Sequence, residues 1–285
     1  MAKIIVIGNE KGGSGKTTIS MHLIISLLKL GFKVGSIDLD RQQSLTRYLE
    51  NRSKTIAIRG DNSLLMPEHK VVQRVEGSDL NVVNAQEKQL FESTVKDLSS
   101  CDFIVVDTPG SDSNLSRVAH INADIVITPI NDSFLDLDLL GVVSADNLEA
   151  LKPGIYSAMV WEQKMKKAAQ KAGEMDWFVV RNRLSTLDAI NKRNVENAVA
   201  KLAKRFGFKI APGFGDRVVF KELFLTGLTL HDAMVAKEIK TSTSVVAARQ
   251  ELRNFLMALN LPEINEKINA GQQDVGSQTK IAANG

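Results

Sequence analysis

Residues 8–18 read GNEKGGSGKTT and directly follow the apolar run Ile4–Ile7. An apolar run, a glycine-rich turn and then an amphipathic pattern predict a buried strand, a phosphate-binding loop and a helix. In such a loop, successive backbone N–H groups converge on an anion, and the next helix adds its positive N-terminal dipole. Side chains at the glycine positions would keep phosphate oxygens away from the backbone. The stretch therefore predicts a nucleotide site.

The residues around these glycines fit nucleotide chemistry. Lys16 supplies a positive charge for the β- and γ-phosphates, and the Thr17 hydroxyl can ligate Mg²⁺. The usual first glycine of the motif, five residues before Gly15, is Glu10 here, and a second lysine, Lys11, stands near the start of the loop. The alternative is a glycine-rich turn that binds nothing, which the strand, the helical pattern and the second lysine disfavour. The predicted cofactor-binding residues of the loop are Gly12, Gly13, Ser14, Gly15, Lys16, Thr17 and Thr18.

Composition limits the class of protein. The chain has 285 residues, 44% of them hydrophobic and 24% charged, which is typical of a soluble globular protein. It contains no 18-residue apolar stretch and no secretion-signal pattern at its start, so we expect a cytoplasmic protein. A single cysteine, Cys101, excludes a disulfide framework and a cysteine-rich metal site. We expect one domain over residues 1–261 and a flexible polar tail over residues 262–285.

Strand-like runs alternate with helical patterns along the chain. This alternation predicts an α/β fold with a mostly parallel sheet and helices on both faces. The ligand then belongs at the carboxyl ends of the strands, where the glycine-rich loop lies. The segment 51–79 has no clear pattern and is predicted to be a surface excursion. The predicted strands are Lys3–Ile7, Lys33–Asp38, Leu80–Asn84, Asp102–Asp107, Asp124–Pro129 and Trp177–Val180, and the predicted helices lie near Thr17–Leu30, Glu87–Leu98, 160–174, 188–206 and Val245–Leu259.

Acidic residues end two of the predicted strands. Asp38 and Asp40 follow the second strand, and both could act on Mg²⁺ or on its waters. Asp107 ends the strand at 102–107, where an acid can hold a Mg²⁺-bound water, and the following loop 108–110 could respond to a γ-phosphate. Alone, each acid could equally be a helix cap or part of a solvated turn. Together with the phosphate-binding loop they favour a magnesium site.

Asn182 follows another predicted strand. An amide at the carboxyl end of a strand can read the adenine edge, because it offers both a donor and an acceptor. An ordinary asparagine turn explains the residue equally well, and both interpretations stay open.

With these motifs, the chain resembles the ParA/MinD family of P-loop ATPases with a deviant Walker A loop. The resemblance covers Lys3 to about Leu259 and rests on the loop at 11–18 and on the motifs at 38–40 and 107–110. Within the family, further stretches resemble the branch that positions the division plane. These stretches are residues 8–11, 128–134, 175–177, 181–184 and 227–230.

The resemblance implies roles for individual residues. Lys11 would reach across a dimer interface to the partner's ATP, so that ATP clamps two subunits together. Asp40 would orient the attacking water with help from Asp38, and hydrolysis would release the dimer. Many relatives carry Pro-Gln after the second aspartate, whereas residues 41–43 here are Arg-Gln-Gln. The predicted catalytic residues are Lys11, Lys16, Asp38 and Asp40, and the predicted metal-site residues are Thr17, Asp38 and Asp107.

The resemblance also implies cofactors and partners. ATP and Mg²⁺ would be bound, and the ATP homodimer would bind DNA without sequence preference, associate with a ParB-type partition protein and inhibit FtsZ assembly. It would then be associated with the nucleoid. The alternatives are a DNA-partitioning ATPase, a membrane-bound MinD-type regulator and a metabolic or redox enzyme of the same fold. The membrane-bound type needs a basic amphipathic C-terminal anchor, which the sequence 263–285 lacks.

Charge is unevenly distributed along the chain. The segment from Lys152 to Lys221 holds 15 Lys and Arg against 6 Asp and Glu, so the rest of the chain is net acidic. Such asymmetry can mark a polyanion-binding surface, although helix surfaces are often rich in lysine without binding anything. The candidate DNA contacts are Lys192, Arg193, Lys201, Lys204, Arg205, Lys209, Arg217 and Lys221.

Overall fold

The computed structural model describes residues 2–60, 63–144, 149–184, 189–232 and 242–270. Seven of the described strands form one parallel sheet in the order β3-β2-β4-β1-β5-β8-β9, and β6 and β7 form a separate antiparallel pair. The α/β fold predicted from the sequence is confirmed. The strands are β1 (Lys3–Ile7), β2 (Val34–Asp38), β3 (Glu68–Val71), β4 (Phe103–Asp107), β5 (Ile125–Asn131), β6 (Gly141–Val143), β7 (Ala150–Pro153), β8 (Asp176–Asn182) and β9 (Lys209–Ala211).

Helices cover both faces of this sheet. The residues of β1 show the division, because Ile5 and Ile7 pack in one apolar cluster and Ile4 and Val6 in the other. The first cluster includes side chains of α1, α2, α8 and α9, and the second includes side chains of α3, α4, α6 and α7. The helices are α1 (Lys16–Lys29), α2 (Ser44–Arg59), α3 (Leu80–Asp97), α4 (Asn114–Asn122), α5 (Phe134–Leu137), α6 (Ile155–Ala169), α7 (Ala189–Phe206), α8 (Val219–Thr226) and α9 (Thr243–Ala258).

The strand predicted at Leu80–Asn84 is wrong. These residues form the first turn of α3 instead. The Asp79 side chain accepts hydrogen bonds from the backbone N–H groups of Asn81 and Val82, which satisfies donors at the start of the helix. An apolar run of this length does not by itself distinguish a strand from a helix, and here the cap decides.

The surface excursion predicted at residues 51–79 is also wrong in part. The chain there completes α2 and then forms the edge strand β3. Leu45, Tyr48 and Leu49 of α2 are buried, so a single narrow apolar stripe holds an otherwise polar helix on the sheet.

The flexible tail predicted from residue 262 is wrong for residues 262–270. Residues 262–270 form a helix in which Ile264 and Ile268 are buried. These two side chains are four residues apart and lie on one helix face, where they join the apolar cluster around α9. Residues 271–285 lie outside the described residues.

Parallel pairing brings the carboxyl ends of the central strands to one edge. In the register of β1 and β4, Ile7 lies opposite Asp107, and in the register of β2 and β4, Asp38 lies opposite Asp107. The sheet thus places two carboxylates side by side next to the loop that follows β1.

Candidate functional site

The loop between β1 and α1 has the backbone of an anion-binding turn. Gly13 and Gly15 have positive φ angles of 73° and 97°, and α1 begins directly afterwards at Lys16. Side-chain carbon atoms placed on Gly12 or Gly13 would meet nothing within 4 Å, so this part of the loop faces open space. Among the described residues, the buried hydroxyl of Ser14 has no hydrogen-bond partner. The loop is therefore shaped for a bound group, and phosphate fits its donors.

Asn182 closes the loop from the neighbouring strand β8. Its side-chain amide donates a hydrogen bond of 2.8 Å to the carbonyl of Ser14. A Cβ atom on Gly15 would lie only 2.1 Å from the Asn182 Nδ2 atom, so any other residue there would displace the Asn182 amide and strain the backbone at its positive φ angle. The structure brings Asn182 to the predicted place and gives it a direct role in holding the loop.

The two lysines of the loop occupy different surroundings. Lys16 is buried and donates a hydrogen bond of 3.0 Å to the Lys11 carbonyl, across the mouth of the loop. Burial lowers the pKa of Lys16, against the opposing effect of the Asp107 and Asp40 charges. Lys11 is ion-paired with the buried carboxylate of Asp136 in its own chain. The loop thus holds one cation inside the site and one at its edge.

Asp107 forms the acidic centre of the site. Its carboxylate accepts a hydrogen bond of 2.7 Å from the Thr17 hydroxyl and one of 3.1 Å from Ser20. The pKa of Asp107 is raised to about 7, by burial first and then by the neighbouring charge of Asp38, while Thr17, Lys16 and Ser20 act in the opposite direction. A cation would remove this excess of negative charge, and oxygen donors are those that Mg²⁺ prefers. Thr17 and Asp107 therefore fit the predicted metal site.

Asp38 lies behind the site rather than at its surface. It is fully buried, and its two carboxylate oxygens accept hydrogen bonds from the backbone N–H of Asp40, at 3.0 Å, and from the N–H and hydroxyl of Thr46, at 2.9 and 2.8 Å. The structure therefore supports the helix-cap alternative for Asp38, because Thr46 belongs to the first turn of α2. Asp38 contributes negative charge next to Asp107, and its oxygens are already held by these donors.

Asp40 is the more accessible of the two acids after β2. It is half-buried, and its Oδ1 atom accepts a hydrogen bond of 3.0 Å from the Gln42 backbone N–H. It lines a groove of ≈ 1160 Å³ together with the phosphate-binding loop and the loop 109–113. This phosphate-side groove contains Gly12, Gly13, Gly15, Lys16, Thr17, Thr18 and Asp40.

A second, smaller cavity of ≈ 290 Å³ lies beside the loop, and we call it the base-side cavity. Gly15, Thr18 and Asn182 form its wall next to the phosphate-binding loop, and Phe214 and Phe220 form much of its apolar wall. An apolar slot with a few polar groups is typical of a site for a planar base. Sequence reasoning missed the segment 214–220, since no local motif marks it, although Phe214 lies between two glycines shortly after β9.

The predicted DNA contacts lie in different surroundings. Arg217 and Lys221 line the base-side cavity, and Arg217 pairs there with Glu251 at 2.5 Å, so they belong to the candidate nucleotide site. Arg193, Lys204 and Arg205 are exposed on α7, as the sequence suggested. Lys201 on the same helix pairs with Glu149, and Lys209 pairs with Asp176. The side chain of Lys192 lies outside the described ones.

The described residues are also informative about metals and membranes. No cluster of three or more His, Cys, Asp and Glu side chains suited to a metal ion occurs among them, so a cation at Asp107 would also need ligands from a bound molecule. Within the same ranges, every helix is too short or too polar to span a bilayer.

The loop, the acids at the strand ends and the two cavities define a P-loop nucleotide-binding protein. The comparison with protein families narrows this class. The chain belongs to the ATPase MipZ family, whose family model matches residues 3–263.

Curated relatives and solved structures agree with this assignment. The septum site-determining protein MinD of Synechocystis is 30% identical over 166 residues, which cover 52% of this chain and 62% of the relative. The chromosome-partitioning ATPase Soj of Thermus thermophilus is 29% identical over 163 residues, covering 53% and 63%. The matches to both relatives span less than two thirds of their length. A solved ATP complex of an McdA variant from Cyanothece has the same fold, with a TM-score of 0.60 at 18% identity, over 91% of this chain and 97% of that one.

Proposed function

We propose that this protein is an ATP-dependent switch that positions the division plane. The observation that carries the ATP-dependent part is that Lys16, Thr17 and Asp40 line one groove, with Thr17 bonded to the buried Asp107, and the family match supports the division-plane part. In this arrangement Lys16 would bind the β- and γ-phosphates, and Thr17 and Asp107 would hold Mg²⁺ or its waters. Asp40 would orient the attacking water. Bound Mg²⁺ would neutralise charge on the phosphates.

Adenine is assigned to the base-side cavity. The cavity shares Gly15 and Thr18 with the phosphate-side groove, so one molecule can extend from one space into the other. Phe214 and Phe220 offer apolar contact, and Asn182 offers polar atoms. One ATP molecule would then have its base in the base-side cavity and its phosphates in the phosphate-side groove, beside Lys16.

Dimerisation by ATP is the second part of the proposed switch. Lys11 stands at the edge of the loop with its side chain 41% exposed, although it is paired with Asp136. If Lys11 leaves that pair and contacts the ATP of a second subunit, the new charge-assisted contacts exist only in the dimer. Loss of the γ-phosphate then favours monomers.

Nucleotide binding and dimerisation can be tested separately. A fluorescent ATP analogue with Mg²⁺ should bind the native protein and Lys11→Ala but not Lys16→Ala, and Lys54→Ala, an exposed lysine on α2, serves as the matched control. Sedimentation velocity should show an ATP-dependent dimer that is absent in ADP and in Lys11→Ala. Binding without dimerisation in the native protein would refute the switch while leaving the nucleotide site intact.

The proposed partners are non-specific DNA, a ParB-type protein and FtsZ. The exposed Arg193, Lys204 and Arg205 on α7 support DNA binding, which should weaken steeply with salt because it displaces counterions. The decisive assay is FtsZ polymerisation with ATP, with ADP and with the Asp40→Ala variant. Inhibition that needs ATP and persists when hydrolysis is blocked supports a division regulator.

A ParA-type partitioning ATPase is the second candidate. The basic face of α7 and the similarity to Soj favour it. ATP-dependent DNA binding with no effect on FtsZ would select this function. The charge-reversed pair Arg193→Glu and Lys204→Glu should lose DNA binding under either proposal, and Lys54→Glu is the control.

A further inference from the structure

The outward face of α6 is apolar. Ile155 is 76% exposed, Trp161 58% and Met165 49%, and the intervening Ala158 and Ala168 are exposed as well. At 100° per residue, positions 158, 161, 165 and 168 fall on one side of the helix. We call these five residues the α6 stripe.

The core of the protein does not use this stripe. The inward side of α6 carries Tyr156, Met159 and Val160, which are buried in the apolar cluster that covers one face of the sheet. A helix at a protein surface normally carries polar residues opposite its buried side. Because α6 is apolar on both sides, its outward side is suited to contact with something outside the described fold.

Charged residues flank the stripe, and most are basic. Lys164 lies on one side and Lys166 on the other, and Lys171 follows the C-terminal end of the helix. The acidic residue at this rim, Glu162, is paired with Lys166 at 2.7 Å and with Arg117 at 3.2 Å. Arg117 also pairs with Asp112, so the four basic side chains face two carboxylates and the net charge around the stripe is positive.

We propose that the α6 stripe is a docking surface for an acidic amphipathic helix of another protein. Trp161 and Met165 provide an aromatic anchor and an adaptable apolar contact, both common in helix recognition. The flanking lysines complement glutamates on either side of the partner's apolar face. This surface is separate from the phosphate-side groove, and the proposal stands whether or not the protein is a division regulator.

A second copy of this chain fits the charges less well. Two copies would bring equal positive rims together.

The test uses two synthetic peptides of about 18 residues, each a helix of about five turns. Both carry a Leu/Phe face, which is flanked by Glu in one peptide and by Lys in the other. In fluorescence anisotropy the full-length protein should bind the Glu peptide saturably and the Lys peptide at least about ten-fold more weakly. Trp161→Ser should weaken binding of the Glu peptide about 30-fold, as for a central aromatic anchor. Lys164→Glu should reduce the preference between the peptides.

Two controls test whether peptide binding depends on the α6 stripe itself. Ile58→Ser removes an equally prominent apolar side chain, 84% exposed on α2, and should leave peptide binding unchanged. Circular dichroism should show that Trp161→Ser retains its fold. Equal binding of both peptides, or no saturation up to about 0.2 mM, would overturn the proposal. Trp161-dependent binding to phosphatidylserine vesicles, or Trp161-dependent self-association without nucleotide, would assign the surface to a membrane or to a second copy instead.

Discussion

Replacing Gly15 by alanine tests how the phosphate-binding loop is held. The residue has a φ angle of 97°, and a left-handed conformation costs an alanine about 1 kcal/mol. The new methyl group would also lie 2.1 Å from the Asn182 amide, which must move and lose its hydrogen bond of 2.8 Å to Ser14. That hydrogen bond contributes about 1 kcal/mol. We therefore expect Gly15→Ala to lower the free energy of unfolding by about 2 kcal/mol.

Gly13→Ala is the matched control. Gly13 also has a positive φ angle, of 73°, but a methyl group there meets nothing within 4 Å, so only the backbone strain of about 1 kcal/mol remains. Urea unfolding of the two variants without nucleotide measures the difference. In an Asn182→Ala background, Gly15→Ala should cost no more than Gly13→Ala, because the obstructing amide is gone. Equal costs of Gly15→Ala and Gly13→Ala in the native background would refute the contact with Asn182.

Three further predictions concern buried charge. Arg52→Met should destabilise the protein by about 3–5 kcal/mol, because it leaves the fully buried Asp232 without its cation. In urea unfolding, the double variant Arg52→Met with Asp232→Leu should lose less stability than the sum of the two single variants. Burial lowers the pKa of His120 to about 4 from 6.5, so the stability that it contributes is present above pH 6.5 and is lost as the pH falls towards 4. Between pH 7 and pH 5 this loss is about 2 kcal/mol, and His120→Gln should reduce the measured pH dependence by that amount. Lys11→Ala should lower monomer stability by about 1 kcal/mol, since the buried Asp136 loses a cation that is itself partly solvated, and an unchanged urea midpoint would contradict this.

The phosphate-binding loop could be predicted from the sequence because its chemistry is local. Gly13, Gly15, Lys16 and Thr17 are adjacent in the chain, and their spacing alone defines the turn and the helix start. The position of Asp107 followed from the parallel sheet, since a strand that ends in an acid must end at the same edge as β1.

The base-side cavity could not be predicted in this way. Its walls come from α1, from Asn182 at the end of β8, from the segment 214–220 and from Leu252 of α9, which are far apart in sequence. Arg217 was for that reason assigned to a DNA surface, although in the fold it pairs with Glu251 of α9. Only tertiary packing brings such residues together, and no local sequence pattern indicates that they are close in space.

The wrong predictions at residues 80–84 and 51–79, where the structure contains α3 and the end of α2, have a different cause. The apolar residues at Leu80 and Val82–Val83 are compatible with a strand, and only the capping aspartate at position 79 decides for α3. In α2 few apolar residues are buried and most of the other residues are polar, so the helical spacing of the apolar residues is hard to recognise in the sequence.

The hydrogen bonds of Asp38 make α2 a structural link between two parts of the site. At its first turn the helix is fastened to Asp38 through Thr46, and farther along Asn51 and Thr55 donate to the carbonyls of Phe224 and Thr226 in α8. Phe224 in turn lines both the phosphate-side groove and the base-side cavity. The helix thus connects Asp38, at the carboxyl end of β2, to the wall of the site that contains Phe224. Asp38 therefore cannot turn towards a cation without breaking its hydrogen bonds to Thr46 or displacing α2.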